Sequence, residues 1–514
     1  MVIESQANRI LINTIAQYVK TILNLVLSLY STRLVLSLLG IENYGIYSLV
    51  GGIVSMITFI TSALLTSTQR FLSFNQGKND IRRIKTIFSN SFYIHLFLGL
   101  TTAIVLIACD PLIFNGLIKI PETRIFAAKS IYYIMIAILV ITFTGAPVQA
   151  LLISHENIVF LSIIGVCNGL LKVGFAILLY YFGRDKLIWY GVFMFGISLF
   201  EVIAYSVYSK LNYEEFVILN FKHLNKKYLR EIFSFAGWTI YSTGCIIGRL
   251  QGTAILLNRF FGTTVNAAFG IGYQVSGMLQ FLSSSLMNAV NPQMMKAEGA
   301  NKRQHVIRLA EISSKFSFLL MAMVTIPCLF EIESLLKIWL KVVPEQAILF
   351  CQMFLITSLV DQLTIGLGSL NQSIGKIGKY SLTIYSIKLL SLPIVFFILF
   401  MHINLKWILF CFVGFELIAS LSRLPFLKRT AGISIIDFYN KVIKKEIIPV
   451  SILFLVCILF VSYVQIPFRF VITFLLSSFI YIPSIYFFGL CKDEKEILNK
   501  IIRQARMKTR KSIK

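Results

Sequence analysis

A row of polar residues follows one face of the first apolar segment and contains a lysine near its middle. Its members recur every three or four residues, a spacing that keeps them on one side of a helix; they are Asn13, Gln17, Lys20, Asn24, Ser28 and Ser31. An unpaired cation this deep in a bilayer would cost at least about 2.5 to 3.5 kcal/mol on insertion scales. The row therefore predicts a surface lined by water or ligand. Lys20 would bind an anionic group there, and Gln17 and Asn24 would donate hydrogen bonds.

Two further polar rows have the helical spacing and lie 222 residues apart. The first row is Ser55, Thr58, Ser62, Thr66 and Gln69. The second, in which four of the five positions are polar, is Gly277, Gln280, Ser284, Asn288 and Asn291. Hydroxyl and amide side chains offer the neutral hydrogen bonds that sugar hydroxyls need. We therefore expect substrate contacts from the middle of both rows, at Ser62, Thr66, Gln280, Ser284 and Asn288.

Additional charged residues lie within apolar segments. The cations are Lys172, Arg249 and Lys388, and the acids are Glu201, Asp361 and Glu416. One interpretation is that each cation pairs with an acid and only locks helices together. The other is a water-filled, positively lined chamber that attracts anions in surroundings of low dielectric constant. The excess of cations favours the second interpretation and a substrate-binding role for the basic residues. The three acids are candidates for coupling to protons or sodium, although transport without an ion gradient fits equally well.

The overall composition is that of a membrane protein. Of the 514 residues, 57% are hydrophobic and only 14% are charged, more apolar surface than a water-soluble fold can bury. The formal charge of +25 comes from basic residues between apolar segments, so we expect no nucleic-acid partner. Neither the eight cysteines nor the five histidines form a metal-binding pattern. No phosphate loop or nucleophile and base pair is present, so we expect no enzyme, metal or cofactor.

Stretches of about 20 mainly apolar residues, long enough to cross a bilayer as helices, occur about fourteen times. We place them at 9–38, 44–70, 86–116, 125–153, 158–182, 187–209, 231–258, 265–295, 310–335, 346–371, 380–402, 405–427, 447–467 and 470–490. The predicted fold is an all-α polytopic membrane protein. Basic residues concentrate in the loops of one side, which the positive-inside rule makes cytoplasmic. Both termini are then cytoplasmic, and "MVIESQANRI" has no features of a removable signal peptide.

An internal repeat relates the two halves of the chain. A shift of 222 positions places "LLGIENYGIYSLV" on "FFGTTVNAAFGIG", which matches Gly40 with Gly262. The same shift places "NQGKNDIRR" on "AEGANKRQH", which matches Gly77 with Gly299. Such a parallel repeat predicts two pseudo-symmetric six-helix lobes of equal orientation, with a substrate site between them near the middle of the membrane.

The repeat suggests four parts of the chain. We assign 1–220 to an N-lobe with helices 1–6, 221–430 to a C-lobe with helices 7–12, and 431–491 to helices 13 and 14. Residues 492–514 form a basic cytoplasmic tail. Its segment "EILNKIIRQARMKTRK" is either an amphipathic helix on anionic lipid headgroups or a solvated segment with no specific role.

Four motifs carry a resemblance to a known family. They are "LLGIENYGIYSLV", "TSTQRFLSFNQGK", "PVQALLISHENIVF" and "LNQSIGKIGKY". Together with the extra terminal helix pair, they make the chain similar to the multidrug/oligosaccharidyl-lipid/polysaccharide (MOP) exporter superfamily. Within that superfamily, the chain resembles the bacterial O-antigen (Wzx-type) flippases. The resemblance implies two lobes that alternate between inward-open and outward-open states in the bacterial inner membrane.

The resemblance also implies a substrate. It would be a short oligosaccharide on undecaprenyl pyrophosphate, moved from the cytoplasmic to the periplasmic leaflet for O-antigen and lipopolysaccharide synthesis. The expected partners are this lipid-linked oligosaccharide, membrane lipids, H+ or Na+, and a polysaccharide polymerase with its chain-length regulator. The alternative functions are a cation-coupled multidrug exporter of the same superfamily and a non-transporting scaffold. Lys20, and the absence of any acid between Glu4 and Glu42, argue against the drug exporter.

Overall fold

The computed structural model describes residues 2–55, 57–114, 120–182, 185–216, 224–340, 343–464, 466, 468–496 and 499. Every regular element in these residues is helical, as the composition predicts. The chain divides into two compact units. The N-terminal unit comprises Ile12–Ile240 and Met295–Ala300, and the C-terminal unit comprises Met1–Leu11, Tyr241–Met294 and Asn301–Lys514. The four-part division made from the sequence stays a prediction, and the proposed tail helix lies largely outside the described residues.

The N-terminal unit is built mainly from seven helices. They are α1 (Val2–Ser55), α2 (Thr58–Gly77), α3 (Ile81–Ala108), the single turn α4 (Asp110–Leu112), α5 (Ile125–Ser154), α6 (Ile158–Leu178) and α7 (Lys186–Asn212). Helix α5 is central because it packs against α2, α3 and α7, and its Tyr132 and Phe143 are fully buried. Asp80 and Asp185 cap α3 and α7 by accepting hydrogen bonds from the first-turn amides of Arg83 and Leu187.

The C-terminal unit contains most of the long helix α8 and all the helices that follow it. They are α8 (Lys226–Gly299), α9 (Arg303–Trp339), α10 (Ala347–Gln362), α11 (Ile365–Ile374), α12 (Ile377–Leu389), α13 (Ser391–Phe400), α14 (Lys406–Ala431), α15 (Ile435–Phe438), α16 (Lys444–Tyr463) and α17 (Arg469–Ser484). An aromatic core of Phe269, Phe350, Phe354 and Phe412 joins α8, α10 and α14. Helices α16 and α17 pack on each other and on α9.

Two of the repeat's glycines adopt nearly the same backbone conformation. Gly40 has φ 77° and ψ 165° inside α1, and Gly262 has φ 78° and ψ −167° inside α8. A positive φ with extended ψ is accessible almost only to glycine, so each long helix is interrupted at this residue. Asn79 and Asn301, also 222 residues apart, both adopt a left-handed conformation, with φ 55° and 59°. The same interruption and turn therefore occur in both halves, as the sequence repeat predicts.

The other matched glycines form a close crossing within the N-terminal unit. A Cβ atom on Gly77 would lie 1.9 Å from the carbonyl oxygen of Lys296, and one on Gly299 would lie 1.9 Å from that of Phe74. Phe74 and Lys296 are themselves 222 residues apart, so the ends of α2 and α8 cross with local two-fold symmetry. Only glycine permits backbones this close.

Ten helices among the described residues are long and apolar enough to cross a membrane, or eleven if the bent pair α10 and α11 counts as one span. The break between these two helices bends the chain by 50°. The predicted spans 44–70, 231–258 and 265–295 are not among the eleven. The first falls on the end of α1 and most of α2, and the other two fall within α8. The total of about fourteen spans stays a prediction.

Candidate functional site

Glu201 in α7 is the acidic centre of the N-terminal unit. Asn168 in α6 donates a hydrogen bond from Nδ2 to Glu201 Oε2 at 2.9 Å. The Tyr205 hydroxyl, one turn further along α7, donates to Oε1 at 2.8 Å. Each carboxylate oxygen therefore has a donor, which holds the group in one orientation.

The polar row of α1 lies against α6, where two glycines one turn apart form a groove. A Cβ on Gly165 would lie 2.5 Å from Lys20 Cε, and a Cβ on Gly169 would lie 2.6 Å from Asn24 Oδ1. Lys20 thus packs three residues before Asn168, the α6 residue that binds Glu201, although no direct ion pair forms between Lys20 and Glu201 in the described residues. The structure thus gives Lys20 an acidic neighbour that its own helix does not supply, and this part of the row packs against protein.

A cavity of about 330 Å³ lies beside Glu201 in the same unit. Its polar lining comes from several helices and consists of Tyr47, Thr58, Thr142, Asn168, Lys172, Ser198 and Glu201. Lys172 makes no ion pair with any carboxylate in the described parts of the chain. Of the two N-terminal cations predicted to bind substrate, Lys172 is the one that lines this cavity.

The C-terminal unit contains a buried cluster of five charged residues, which we call the C-cluster: Arg249, Asp361, Lys388, Glu416 and Arg423. Arg249 Nη1 lies 2.9 Å from Glu416 Oε2, and Lys388 Nζ contacts the other oxygen of Glu416. Asp361 Oδ1 lies 3.0 Å from Lys388 Nζ and 2.7 Å from Arg423 Nη2. Three cations and two acids give the cluster a formal charge of +1.

These pairs change the roles predicted for four site residues. Arg249 and Lys388 were predicted to bind an anionic ligand, and Asp361 and Glu416 to bind a coupling ion, with pairing among them as the alternative. Instead, the cations and acids contact one another, because packing of α8, α10, α12 and α14 brings together side chains 27 to 167 residues apart. The interlocking interpretation therefore describes much of this cluster, which keeps one more cation than acids.

Arg423 is the third cation of the C-cluster and was not among the site residues predicted from the sequence. Its guanidinium also donates to Thr364 Oγ1 at 3.2 Å and to the carbonyl oxygen of Asp361 at 3.4 Å. It thus satisfies backbone and side-chain acceptors at the break between α10 and α11. The sequence contained one indication of this residue: Arg423 follows Glu416 by two helical turns and so lies on the same face of α14.

A second cavity, of about 460 Å³, adjoins the C-cluster within the C-terminal unit. Its walls include the charged residues Arg249, Asp361, Lys388 and Glu416. The polar row of α8 forms another wall, with Gln280, Ser284, Asn288 and Asn291. Tyr273, Phe354 and Phe412 add aromatic surface, and Arg249 lies 4.3 Å from the centre of the Phe412 ring.

The corresponding row in α2 has fewer free groups. The Ser62 hydroxyl donates to the carbonyl oxygen of Thr58 at 3.2 Å, and the Thr66 hydroxyl donates to that of Ser62 at 2.9 Å. Both hydroxyls thus bond to their own helix but keep lone pairs that can accept a hydrogen bond. Gln17 is partly buried on α1, and its backbone carbonyl oxygen accepts a hydrogen bond from the Thr21 hydroxyl.

One group of side chains has the composition of a metal site. Cys491, Asp493 and Glu494 each offer a ligand atom, all within 4.8 Å of one another. Basic groups already occupy this position, since Arg308 contacts both carboxylates and Lys315 contacts Glu494. The arrangement fastens the segment after α17 to α9, and it fits a salt-bridge network better than a metal centre.

Comparisons with known proteins identify the fold. The MatE family model matches residues 18–178. A crystal structure of MATE in the straight conformation aligns with a TM-score of 0.72 at 13% identity, over 83% of this chain and 96% of that one. A MOP superfamily transporter from Pyrococcus furiosus aligns with a TM-score of 0.71 at 13% identity, over 83% and 96%. An outward-facing multidrug resistance MATE family transporter aligns with a TM-score of 0.70 at 15% identity, again over 83% and 96%.

The chain therefore has the fold of the MATE transporters of the MOP superfamily, with a MatE domain match in its N-terminal part. None of the curated protein sequences compared with this chain matches it. Identities of 13 to 15% establish the fold alone.

Proposed function

We propose that this protein is an alternating-access transporter that flips undecaprenyl-pyrophosphate-linked oligosaccharides from the cytoplasmic to the periplasmic leaflet. The observation that carries the proposal is the charge balance of the groups in and beside the two cavities. In the N-terminal unit, Lys172 lines the cavity together with Glu201, the one acid among the described residues of its lining, and Lys20 packs on the adjoining helix α6. The C-cluster likewise has one more cation than acids. Each site keeps a formal charge of +1.

A surplus positive charge in a low-dielectric site selects for anionic ligands. The interaction of two unit charges at 4 Å rises from about 1 kcal/mol in water to about 4 kcal/mol at an effective dielectric constant of 20. A pyrophosphate or an acidic sugar would be attracted by this amount, and an organic cation would be repelled. The polyprenyl chain would stay in the lipid and require no site in the protein.

The walls of the C-terminal cavity suit a sugar. Gln280, Asn288 and Asn291 present amide donors and acceptors, which match the hydroxyl groups of a saccharide. Tyr273 and Phe354 supply the apolar surface on which the C–H face of a sugar ring can pack. The proposal therefore assigns the oligosaccharide to this wall and its anionic group to the charged end of the cavity.

A cation-coupled multidrug exporter is the second candidate. It is favoured by the likeness to a multidrug resistance MATE family transporter. However, the MOP superfamily protein from Pyrococcus furiosus is described as having a binding pocket of reverse polarity that suggests a different function. The positive surplus in both units favours an anionic substrate over a cationic drug.

The cellular setting is part of the same proposal. The protein would lie in the bacterial inner membrane with both termini in the cytoplasm. A polysaccharide polymerase and a chain-length regulator would use the flipped repeat units. The division into an N-lobe, a C-lobe, a helix pair and a basic tail remains our working assignment of the chain.

The proposal is tested by removing the unpaired cation of the N-terminal cavity. Lys172→Gln keeps a polar side chain but loses the charge, and Lys210→Gln, on the exposed end of α7, is the matched control. We expect Lys172→Gln to slow flipping of an anionic lipid-linked oligosaccharide in proteoliposomes by about tenfold, the effect of about 1.4 kcal/mol. Lys210→Gln should flip at the wild-type rate. In cells, Lys172→Gln should accumulate undecaprenyl-linked repeat units at normal protein levels.

Two results would overturn the assignment. One is equal flipping rates and equal surface glycan in Lys172→Gln and the wild type. The other is a deletion strain with unchanged glycan but increased sensitivity to cationic dyes, which would favour the drug exporter.

A further inference from the structure

The surroundings of Glu201 resemble a cation-binding site in which the cation is a protein side chain. The carboxylate is oriented by Asn168 and Tyr205 at 2.9 and 2.8 Å, and both neutral donors leave its negative charge uncompensated. A carboxylate in low-dielectric surroundings needs a positive partner or a proton to remain there. The Lys20 side chain, which packs on α6 beside the residue that binds this carboxylate, brings a positive charge close to it.

The position of Lys20 depends on the shape of α6. Gly165 has no side chain, and this allows Lys20 Cε to lie 2.5 Å from the place a Cβ would occupy. Asn168, which holds Glu201, follows Gly165 by three residues on the same face of α6. Side chains at this spacing are about 5–6 Å apart, so the ammonium lies within about one helical turn of the group that binds the carboxylate.

Three other groups bear on the charge of Glu201. Lys172 from α6 and Tyr47 from α1 line the adjoining cavity, and Tyr205 comes from α7 itself. Helix α5 contributes Met135, Ile138, Leu139 and Thr142 to the cavity wall, none of which titrates. Lys20 is distinguished from Lys172 by its contact with Gly165, which places it about one helical turn from Asn168 on α6.

We propose that the Lys20 ammonium is a tethered counter-cation of Glu201, and that its removal opens a site for a free monovalent cation at Glu201, Asn168 and Tyr205. A sodium ion, a lithium ion or a proton would then take over the role of the ammonium. The consequence for transport rests on the proposed function: the wild-type N-terminal unit would work without a coupling ion at this position. The binding test itself requires no transported substrate, so it can fail independently of the flippase assignment.

The test replaces Lys20 by a neutral side chain of similar length. Lys20→Met retains the apolar stem in the groove, Lys20→Met/Glu201→Gln removes the acceptor as well, and Lys172→Met removes the other cation. Each purified protein is unfolded by heat in detergent with sodium, lithium or choline chloride at constant ionic strength, and over a pH series. Choline is too large for the site and controls for ionic strength.

We expect a new cation response in Lys20→Met alone. At a sodium or lithium concentration several times the dissociation constant, its melting temperature should rise by about 2 °C or more relative to choline. If the proton is the preferred cation, the stabilisation should instead appear at lower pH and require Glu201. The wild type, Lys172→Met and the double variant should respond little. The proposal is overturned if Lys20→Met responds no more than the wild type to these ions and to pH, or if Lys172→Met gains the same response.

A second variant covers the case in which Lys20→Met does not fold. Gly165→Ala places a methyl group 2.5 Å from Lys20 Cε, and the flexible lysine can move aside at little cost. We expect a weaker form of the same cation response, since the ammonium is displaced but not removed. Gly174→Ala in the same helix, where a Cβ meets nothing within 4 Å, should behave like the wild type. Equal behaviour of the two alanine variants would contradict the role of the groove.

Discussion

The C-cluster makes a quantitative prediction about Glu416. This residue is 3% exposed, and its two carboxylate oxygens contact Arg249 and Lys388, which are 8% and 6% exposed. Glu416→Gln keeps the shape of the side chain but raises the formal charge of the cluster from +1 to +2. Breaking a buried ion pair by neutralising one partner costs about 3–5 kcal/mol. For a unit of this size, each kcal/mol lowers the melting temperature by about 2–4 °C, so we expect a fall on the order of 6 to 20 °C.

The assay is thermal unfolding of purified protein in detergent, followed by size-exclusion chromatography of the fraction that remains folded. The control is Glu333→Gln, which removes a partner of Lys337 from a surface pair whose side chains are 60% and 66% exposed. Exposed pairs contribute little to stability, so this control should unfold with the wild type.

A double variant separates the missing pair from a general effect of the glutamine. Glu416→Gln/Arg249→Met restores the cluster charge to +1 and removes the unpaired guanidinium. It should therefore be more stable than Glu416→Gln alone, with a coupling of about 0.5–3 kcal/mol between the two positions. The reasoning would be refuted if Glu416→Gln melted at the same temperature as Glu333→Gln, or if the two substitutions in the cluster were simply additive.

Two more predictions concern the N-terminal unit. Gly77→Ala places a methyl group 1.9 Å from the backbone carbonyl oxygen of Lys296, which cannot move aside as a flexible side chain can. We therefore expect the free energy of unfolding to fall by about 1–3 kcal/mol, measured by thermal unfolding. The control Gly237→Ala, with no neighbour within 4 Å, should be neutral, and equal melting temperatures of the two variants would contradict the crossing. In the segment after α7, the neighbouring His155 imidazole lowers the pKa of the Glu215 carboxyl, while partial burial opposes this shift. The contact should therefore stabilise the protein above the ordinary carboxyl pKa of about 4.3 and stop doing so as the pH falls through the lowered value. The melting temperature of Glu215→Gln should be below that of the wild type at the higher pH and equal to it at the acid end, and a difference that persisted in acid would count against the ion pair.

Local features of the fold were readable from the sequence. Helix positions follow from runs of apolar residues, and a polar row follows from spacing within a single helix, so α1 and α8 could be anticipated together with the wall of Gln280, Ser284 and Asn288. Gly40 and Gly262 could be matched because an interruption of this kind needs a glycine at one defined position.

The partners of the charged residues depended on packing between distant segments. Helical spacing gives the direction of a side chain relative to its own helix but not the rotation of that helix against its neighbours. Arg249 and Glu416, 167 residues apart, therefore had no detectable relation in the sequence. Arg423 could not be selected from the sequence because its contact with Asp361 depends on the packing of α14 against α10. The same holds for Lys20, because the room that Gly165 leaves for its side chain on α6 depends on how α1 and α6 pack.

By itself, the sequence determined that this is a helical membrane protein with a repeated backbone plan and with charged residues inside its apolar segments, because composition and periodicity are properties of the chain. Only the tertiary structure decided which of those charges neutralise one another and which line a cavity. The physical reason is that electrostatic energy depends on distances through space, and these distances are set by side-chain packing between helices far apart in the chain.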